Sequence, residues 1–168
     1  MTGGRYEKPV FWNGAHSAFP GQMAVSTASH DASPGDAAKR FIGTWRLVSI
    51  RGASTESEAN RGPDPTGVMY YDSKGQMAVQ IMPNRERPIY TGTLPTPNEA
   101  RAAILGYTSY FGTYTIDERK RTVTHHRKGN INPGGLGDYV RRYEFLSDDR
   151  IILRPVESTS ELTWDRIT

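Results

Sequence analysis

Read as an extended strand, Asp138 to Leu146 puts Tyr139, Arg141, Tyr143 and Phe145 on one face and Val140, Arg142, Glu144 and Leu146 on the other, because side chains alternate along a strand. The aromatic face belongs inside, and it carries Arg141 with it. A guanidinium keeps its charge wherever it sits, so an interior Arg141 needs a carboxylate, a ring of acceptors or an anionic ligand. With a carboxylate it forms an internal salt bridge; with a ligand it holds or polarises an oxygen. His125 and His126 offer a second chemistry, proton transfer near neutral pH at an ordinary imidazole pKa of ~6.5. Adjacent in the strand Arg121 to Lys128, they face opposite ways and cannot chelate one metal together. Their neighbours Val123 and Thr124 do not decide which of the two is inside.

Tyrosines extend this set. Tyr70, Tyr110, Tyr114 and Tyr143 fall on strand-like runs, and a buried phenol must find a hydrogen-bond partner. Gln80 is a candidate second donor, although Val79 and Ile81 could equally be the inward pair, and Met82 suits an adaptable pocket wall. Apolar rings with a few convergent polar groups are the usual form of a small-molecule site, so these six residues are the substrate-binding candidates. A metal site is not indicated, for there is no His-Glu-x-x-His, no closely spaced ligand set and no cysteine pair. Gly134-Gly135-Leu136-Gly137 lacks the Lys-Ser/Thr of a phosphate loop, and no Gly-x-Ser-x-Gly elbow occurs. Glu56 and Glu58 lie in a polar stretch and read as solvated. No cofactor is expected.

Composition narrows the partners. The 168 residues have room for one domain with a real core. The 21 Lys+Arg against 18 Asp+Glu leave a formal +3 with the signs interspersed, so nucleic acid is not implied. Zero cysteines exclude a disulfide framework and thiolate chemistry, and they suit a reducing cytosol. Met1 to Lys8 lack the apolar core of a secretory signal, and no run approaches the ~18 apolar residues of a spanning helix. The expectation is a soluble, cytoplasmic protein with no membrane span.

The elements that must position these residues follow from the pattern along the chain. Residues 1–36 mix Gly, Ser, Ala and Pro and show no periodicity, which predicts an N-terminal arm ahead of a domain over 37–168. On composition the arm reads as flexible; the alternative is that Phe11, Trp12 and Phe19 are too apolar for a free tail and dock on the domain or on a second copy in a homodimer. Ala37 to Ile42 reads as a short helix. In the strand that follows, Trp45 fixes the inside and takes Leu47, Ser49 and Arg51 with it. Residues 52–66 read as a long polar loop bordering the open end. Asp72-Ser73-Lys74-Gly75 turns one strand, Val68–Tyr71, into the next, Gln76–Met82. Thr96-Pro97-Asn98-Glu99 supplies an N-cap, a first-turn Pro and a capping-box Glu for a helix near 96–106. Strands at 110–116, 121–128, 138–145, 150–156 and 161–167 complete an all-β, eight-stranded antiparallel barrel with one short inserted helix. The first and last strands of a closed sheet are neighbours, which brings Arg166 against Trp45 in a cation–π contact of about 0.5–2 kcal/mol.

Gly43-x-Trp45 paired with a C-terminal Arg166 resembles the lipocalin, or calycin, superfamily. More closely, Gly43–Ser49, Gly75–Gln80, Tyr110–Tyr114, Val123–His126 and Leu162–Arg166, in that order, resemble the small bacterial and fungal lipocalin-like domain proteins. The resemblance implies a barrel enclosing a small hydrophobic or polycyclic metabolite, and it favours His125 as the inward histidine. It also implies one of two activities: cofactor-free isomerisation or cyclisation of a natural-product type, with Arg141 and His125 as catalytic residues, or non-catalytic binding and carriage. Arg141, Gln80 and His125 within one cavity would favour the enzyme, since a carrier of apolar ligands has little use for them. The substrate itself is not specified.

Overall fold

The structure is a computed structural model and describes residues 35–168. The expectation that Phe11, Trp12 and Phe19 dock, on the domain or on a second copy, lies outside the described residues. The element order is α1 (Asp36–Phe41), β1 (Gly43–Arg51), α2 (Thr55–Arg61), β2 (Thr66–Tyr71), β3 (Gln76–Met82), α3 (Pro97–Ile104), β4 (Thr108–Asp117), β5 (Thr122–Asn130), β6 (Gly137–Ser147), β7 (Arg150–Pro155) and β8 (Glu161–Arg166). Each strand pairs antiparallel with the next, and β8 returns to β1, so the eight strands form a closed barrel with no free edge.

Alternation fixes what each strand turns inward. Trp45 and Leu47 of β1 are buried, and a bulge between Leu47 and Ser49 then breaks the period, bringing Ile50 rather than Arg51 onto the core. β3 sends Met77, Val79 and Ile81 inside, and β5 sends Val123 and His125. On β6, Arg141 and Tyr143 are buried while Val140, Arg142 and Glu144 face out, as the pattern of that strand predicts.

One end of the barrel is filled. Phe41 of α1 is fully buried there and packs edge-on to Tyr71, Tyr143 and Phe145 at centroid distances of 5.2, 5.0 and 5.3 Å. Arg166 closes the same end. Its guanidinium carbon lies 4.2 Å from the Trp45 ring centre, and its Nη1 and Nη2 donate to the carbonyls of Ile42 and Arg40 at 2.7 and 2.8 Å. The predicted pairing therefore holds the first strand, the last strand and α1 together.

The other end carries the connections. Residues 52–66 are not all loop: Thr55–Arg61 form α2, capped by the Ser54 hydroxyl accepting from the Ser57 amide and stopped at Gly62 with φ +78°. The local reason was in the sequence, with Ser at the N-cap, Glu56 and Glu58 in the first turn and Arg61 in the last. α3 starts as the capping box at Thr96 and Glu99 requires. Arg85 ties the two helices, donating from Nε to the carbonyl of Asn60 and from Nη2 to those of Ala102 and Leu105.

Candidate functional site

Between the filled end and the helix-bearing end lies a cavity of about 370 Å³, at the small end of the ~300–1,000 Å³ usual for ligand pockets. Its walls are the inward residues of the strands: Ile50, Met69, Val79, Ile81, Leu153, Leu162 and Trp164 supply the apolar surface. Tyr110, Arg127, Tyr139 and Arg141 supply the polar surface from β4, β5 and β6, and Arg61 reaches in from α2.

The polar side is built around a buried network. Register places His125 of β5 opposite Tyr114 of β4 and Tyr139 of β6, so its ring points into the barrel between the aromatic plug and the cavity. It is fully buried. Arg141 Nη1 donates to His125 Nδ1 at 2.8 Å, and Arg141 Nη2 donates to the Tyr110 hydroxyl at 2.8 Å. A guanidinium only donates, so Nδ1 carries the lone pair and the imidazole proton sits on Nε2. That proton is given to the Tyr71 hydroxyl at 2.6 Å. The Tyr110 hydroxyl also lies 2.9 Å from Nδ1. One lone pair cannot fully serve two donors, so while Arg141 occupies Nδ1 the Tyr110 proton is available to an acceptor in the cavity.

Electrostatics separates these groups by role. His125 is pushed well below the usual imidazole value, first by burial and then by the positive charges of Arg141 and Arg127 and by His126. It is therefore neutral at neutral pH, which corrects the expectation of an ordinary imidazole ready to move protons. Burial raises Tyr71 and Tyr110, against a smaller opposing pull from Arg141, so both stay phenols. Arg141 is 6% exposed and, among the described residues, no carboxylate lies within 4.0 Å of it. The salt-bridge alternative is thereby removed. Arg141 is held instead by neutral acceptors and by the Tyr139 ring, 4.2 Å from its guanidinium carbon.

Of the residues singled out from sequence, the structure brings Arg141, His125 and Tyr110 together. Tyr114 and Tyr143 are interior, but they pack with Phe41 at the plugged end, and the Tyr114 hydroxyl donates to the Asp72 carbonyl at 2.7 Å. Neither lines the cavity. Tyr70, Gln80 and Met82 are on the outer face, exposed to 45% for Tyr70 and Met82, and are corrected as cavity residues: Met69 and Tyr71 turn inward on β2, and Val79 and Ile81 on β3. His126 is also outside, hydrogen-bonded through Nδ1 to Asp138 at 2.6 Å. The sequence reading missed Tyr71, Arg61, Arg127 and Trp164. Gln76-Met77-Ala78-Val79-Gln80-Ile81 carried the alternation that resolves β3, whereas Val68-Met69-Tyr70-Tyr71 is apolar on both faces and gave no such signal. Among the described residues, no three His, Cys, Asp or Glu side chains converge as a metal site would require.

A closed antiparallel barrel around an internal cavity, apolar on one side and polar on the other, suggests a protein that binds small molecules. The chain belongs to the lipocalin-like domain family, whose model matches residues 42–167. Among solved structures it is similar to a DUF4847 family protein from Bacteroides vulgatus, with 14% identity, a TM-score of 0.40, and coverage of 74% of this chain and 92% of that one. No curated protein matches the chain. No helix of the described residues is long and apolar enough to cross a membrane.

Proposed function

We propose that the barrel binds a small hydrophobic or polycyclic metabolite in the cavity and catalyses its cofactor-free isomerisation or cyclisation, a reaction of the kind found in natural-product pathways. The observation that carries the reading is Arg141: a buried guanidinium with no carboxylate partner, beside the Tyr110 hydroxyl, in a wall that faces the apolar side chains of Ile50, Met69, Val79 and Leu153 across the cavity. Two donors fixed in a low-dielectric cavity can polarise a ligand oxygen far more strongly than water does. An isomerisation or cyclisation rearranges bonds within one molecule and needs no external oxidant or reductant. The apolar walls would fold a flexible substrate into a reactive conformer, which alone can supply several kcal/mol of barrier reduction.

In this reading His125 is not the proton carrier. It holds Arg141 and fixes its direction through Nδ1, while Tyr71 fixes the imidazole from the far side. The absence of cysteine suits a cytoplasmic setting.

A second reading, passive binding or carriage, is favoured by one observation: both His125 nitrogens are engaged and its proton affinity is low, which leaves the site without a general base. The two readings separate on one experiment. The protein is incubated with unsaturated, carbonyl-bearing intermediates from neighbouring genes, and products of unchanged mass but altered retention are followed by liquid chromatography and mass spectrometry. The enzyme reading predicts such products and at least a ~10²-fold slower turnover in Arg141→Leu, the usual scale for removing an electrostatic stabiliser. Saturable binding without conversion identifies a carrier.

A further inference from the structure

Every formally charged side chain in the cavity wall is an arginine: Arg61, Arg127 and Arg141 line it, and no Asp or Glu does. Cationic walls in folded proteins are ordinarily balanced by carboxylates, because taking a charge out of water costs several kcal/mol unless it is paired. That balance is missing for Arg141, which is buried, and among the described residues no carboxylate contacts the half-buried Arg61 and Arg127. Among the described residues, none of the three guanidinium groups has a carboxylate within 4.0 Å. Their partners are neutral. Arg141 uses His125 and Tyr110. Arg127 donates from Nε to the Gly137 carbonyl and stands 4.8 Å from the Tyr139 ring centre, the same ring that Arg141 covers at 4.2 Å. Arg61 has its backbone tied, its carbonyl accepting from the Asn84 amide at 2.7 Å, while burial depresses its guanidinium. Glu58, one turn back on α2, shares an outer groove with Arg61 and attracts its guanidinium from beyond contact distance, but it does not line the cavity.

The three charges are spaced along a route. Arg61 lines both the cavity and two outer grooves beside α2, which puts it at the mouth. Arg127 is two residues along β5 from His125, on the side of the open end. Arg141 is at the floor. Such an arrangement raises the local concentration of anions and draws them inward.

We propose that the ligand of this cavity is an apolar anion, a carboxylate or an acidic enol on a hydrophobic body, whose charged oxygens seat on Arg141 and the Tyr110 hydroxyl. This names the ligand class for the small-molecule reading above and rests on it. Arg141 has further N–H groups beyond the two already engaged, and Tyr110 has a proton to give, so an oxyanion completes both without breaking the His125 contact.

The test compares two probes of nearly equal shape, 2-naphthoate and 2-naphthamide, by isothermal titration of the full chain at pH 7. The acid is expected to bind at least about tenfold more tightly than the amide, the scale of one hydrogen bond to a charged group. That preference should vanish in Arg141→Leu and shrink in Arg61→Gln, which changes only the mouth and leaves the buried network in place. Equal affinity for the two probes overturns the anion assignment while leaving small-molecule binding intact. If neither probe binds, the binding reading fails and takes this assignment with it. An acid preference that survives unchanged in both variants also overturns it, because the charge would then be recognised elsewhere.

Discussion

The Tyr71 hydroxyl lies 2.6 Å from His125 Nε2, fully buried, on the opposite side of the imidazole from Arg141. This contact decides the chemistry of the site. It takes up the only imidazole proton, leaves Nδ1 as an acceptor, and so gives Arg141 a fixed seat facing the cavity.

Tyr71→Phe strands that Nε2 proton in a dry interior. A buried donor left without an acceptor costs about 1–3 kcal/mol, and the variant should lose that much stability in urea denaturation with an unchanged m-value. Tyr70→Phe, one residue away but on the outer face, should change stability by less than about 0.5 kcal/mol.

Stability should depend on pH through His125 in a defined direction. Its folded pKa is well below the unfolded value near ~6.5, so below ~6.5 the unfolded chain binds a proton that the folded chain refuses. Stability is then lost as pH falls from ~6.5, with a slope approaching about 1.4 kcal/mol per pH unit for one proton. Above ~6.5 this contribution is flat. The measurement is urea denaturation between about pH 5.5 and 7, a window above the range where the lowered carboxylates Glu99, Asp117 and Asp165 titrate. His125→Gln should show a shallower slope there by that one-proton amount.

Arg166 fastens the plugged end through the Trp45 face, the carbonyls of Ile42, Arg40 and Asp148, and an ion pair to Asp149 at 3.2 Å. Arg166→Leu removes all of these and should cost about 2–4 kcal/mol. Arg166→Lys restores the charge but not the forked donor set, and should recover less than half of the loss. Gly43 belongs to the same joint, with φ +136°, where any other residue is strained, and an added Cβ would lie 2.7 Å from Arg166 Nη1 and push the guanidinium aside. Gly43→Ala should therefore loosen the end as well, seen as a lower thermal midpoint.

Arg85 governs the mouth rather than the barrel. Arg85→Ala frees the carbonyls of Asn60, Ala102 and Leu105. Amide hydrogen exchange should quicken in α2 and α3, while protection in β4 to β7 stays as in the parent chain.

Most of the fold was legible in the residues, and the reason differs by element. β6 announced itself because Tyr139, Arg141, Tyr143 and Phe145 alternate with polar residues or Val140, and α3 because Thr96-Pro97-Asn98-Glu99 is a complete start signal. The Trp45 and Arg166 pairing needed only the closure of the sheet. β2 was illegible because both of its faces are apolar, so Tyr70 stood in for Tyr71. Alternation alone points Arg51 inward, because the bulge between Leu47 and Ser49 has no sequence period to betray it. His125 is legible as a candidate, but its lowered proton affinity is not, because that depends first on total burial and then on Arg141, which only the folded barrel brings near. Arg61 carries no cavity signal in the sequence, because it reaches the cavity only through the helical turn of Thr55–Arg61.

If Arg141 holds an oxygen of a small molecule inside the barrel, a nuclear magnetic resonance titration with 2-naphthoate registers it at the arginine Nε–H resonances. The Arg141 resonance should move saturably, with the same midpoint as the quenching of tryptophan fluorescence, while those of Arg150 and Arg154, paired with carboxylates on the outer surface, stay in place. Saturation of the fluorescence change with the Arg141 resonance unmoved would contradict that contact.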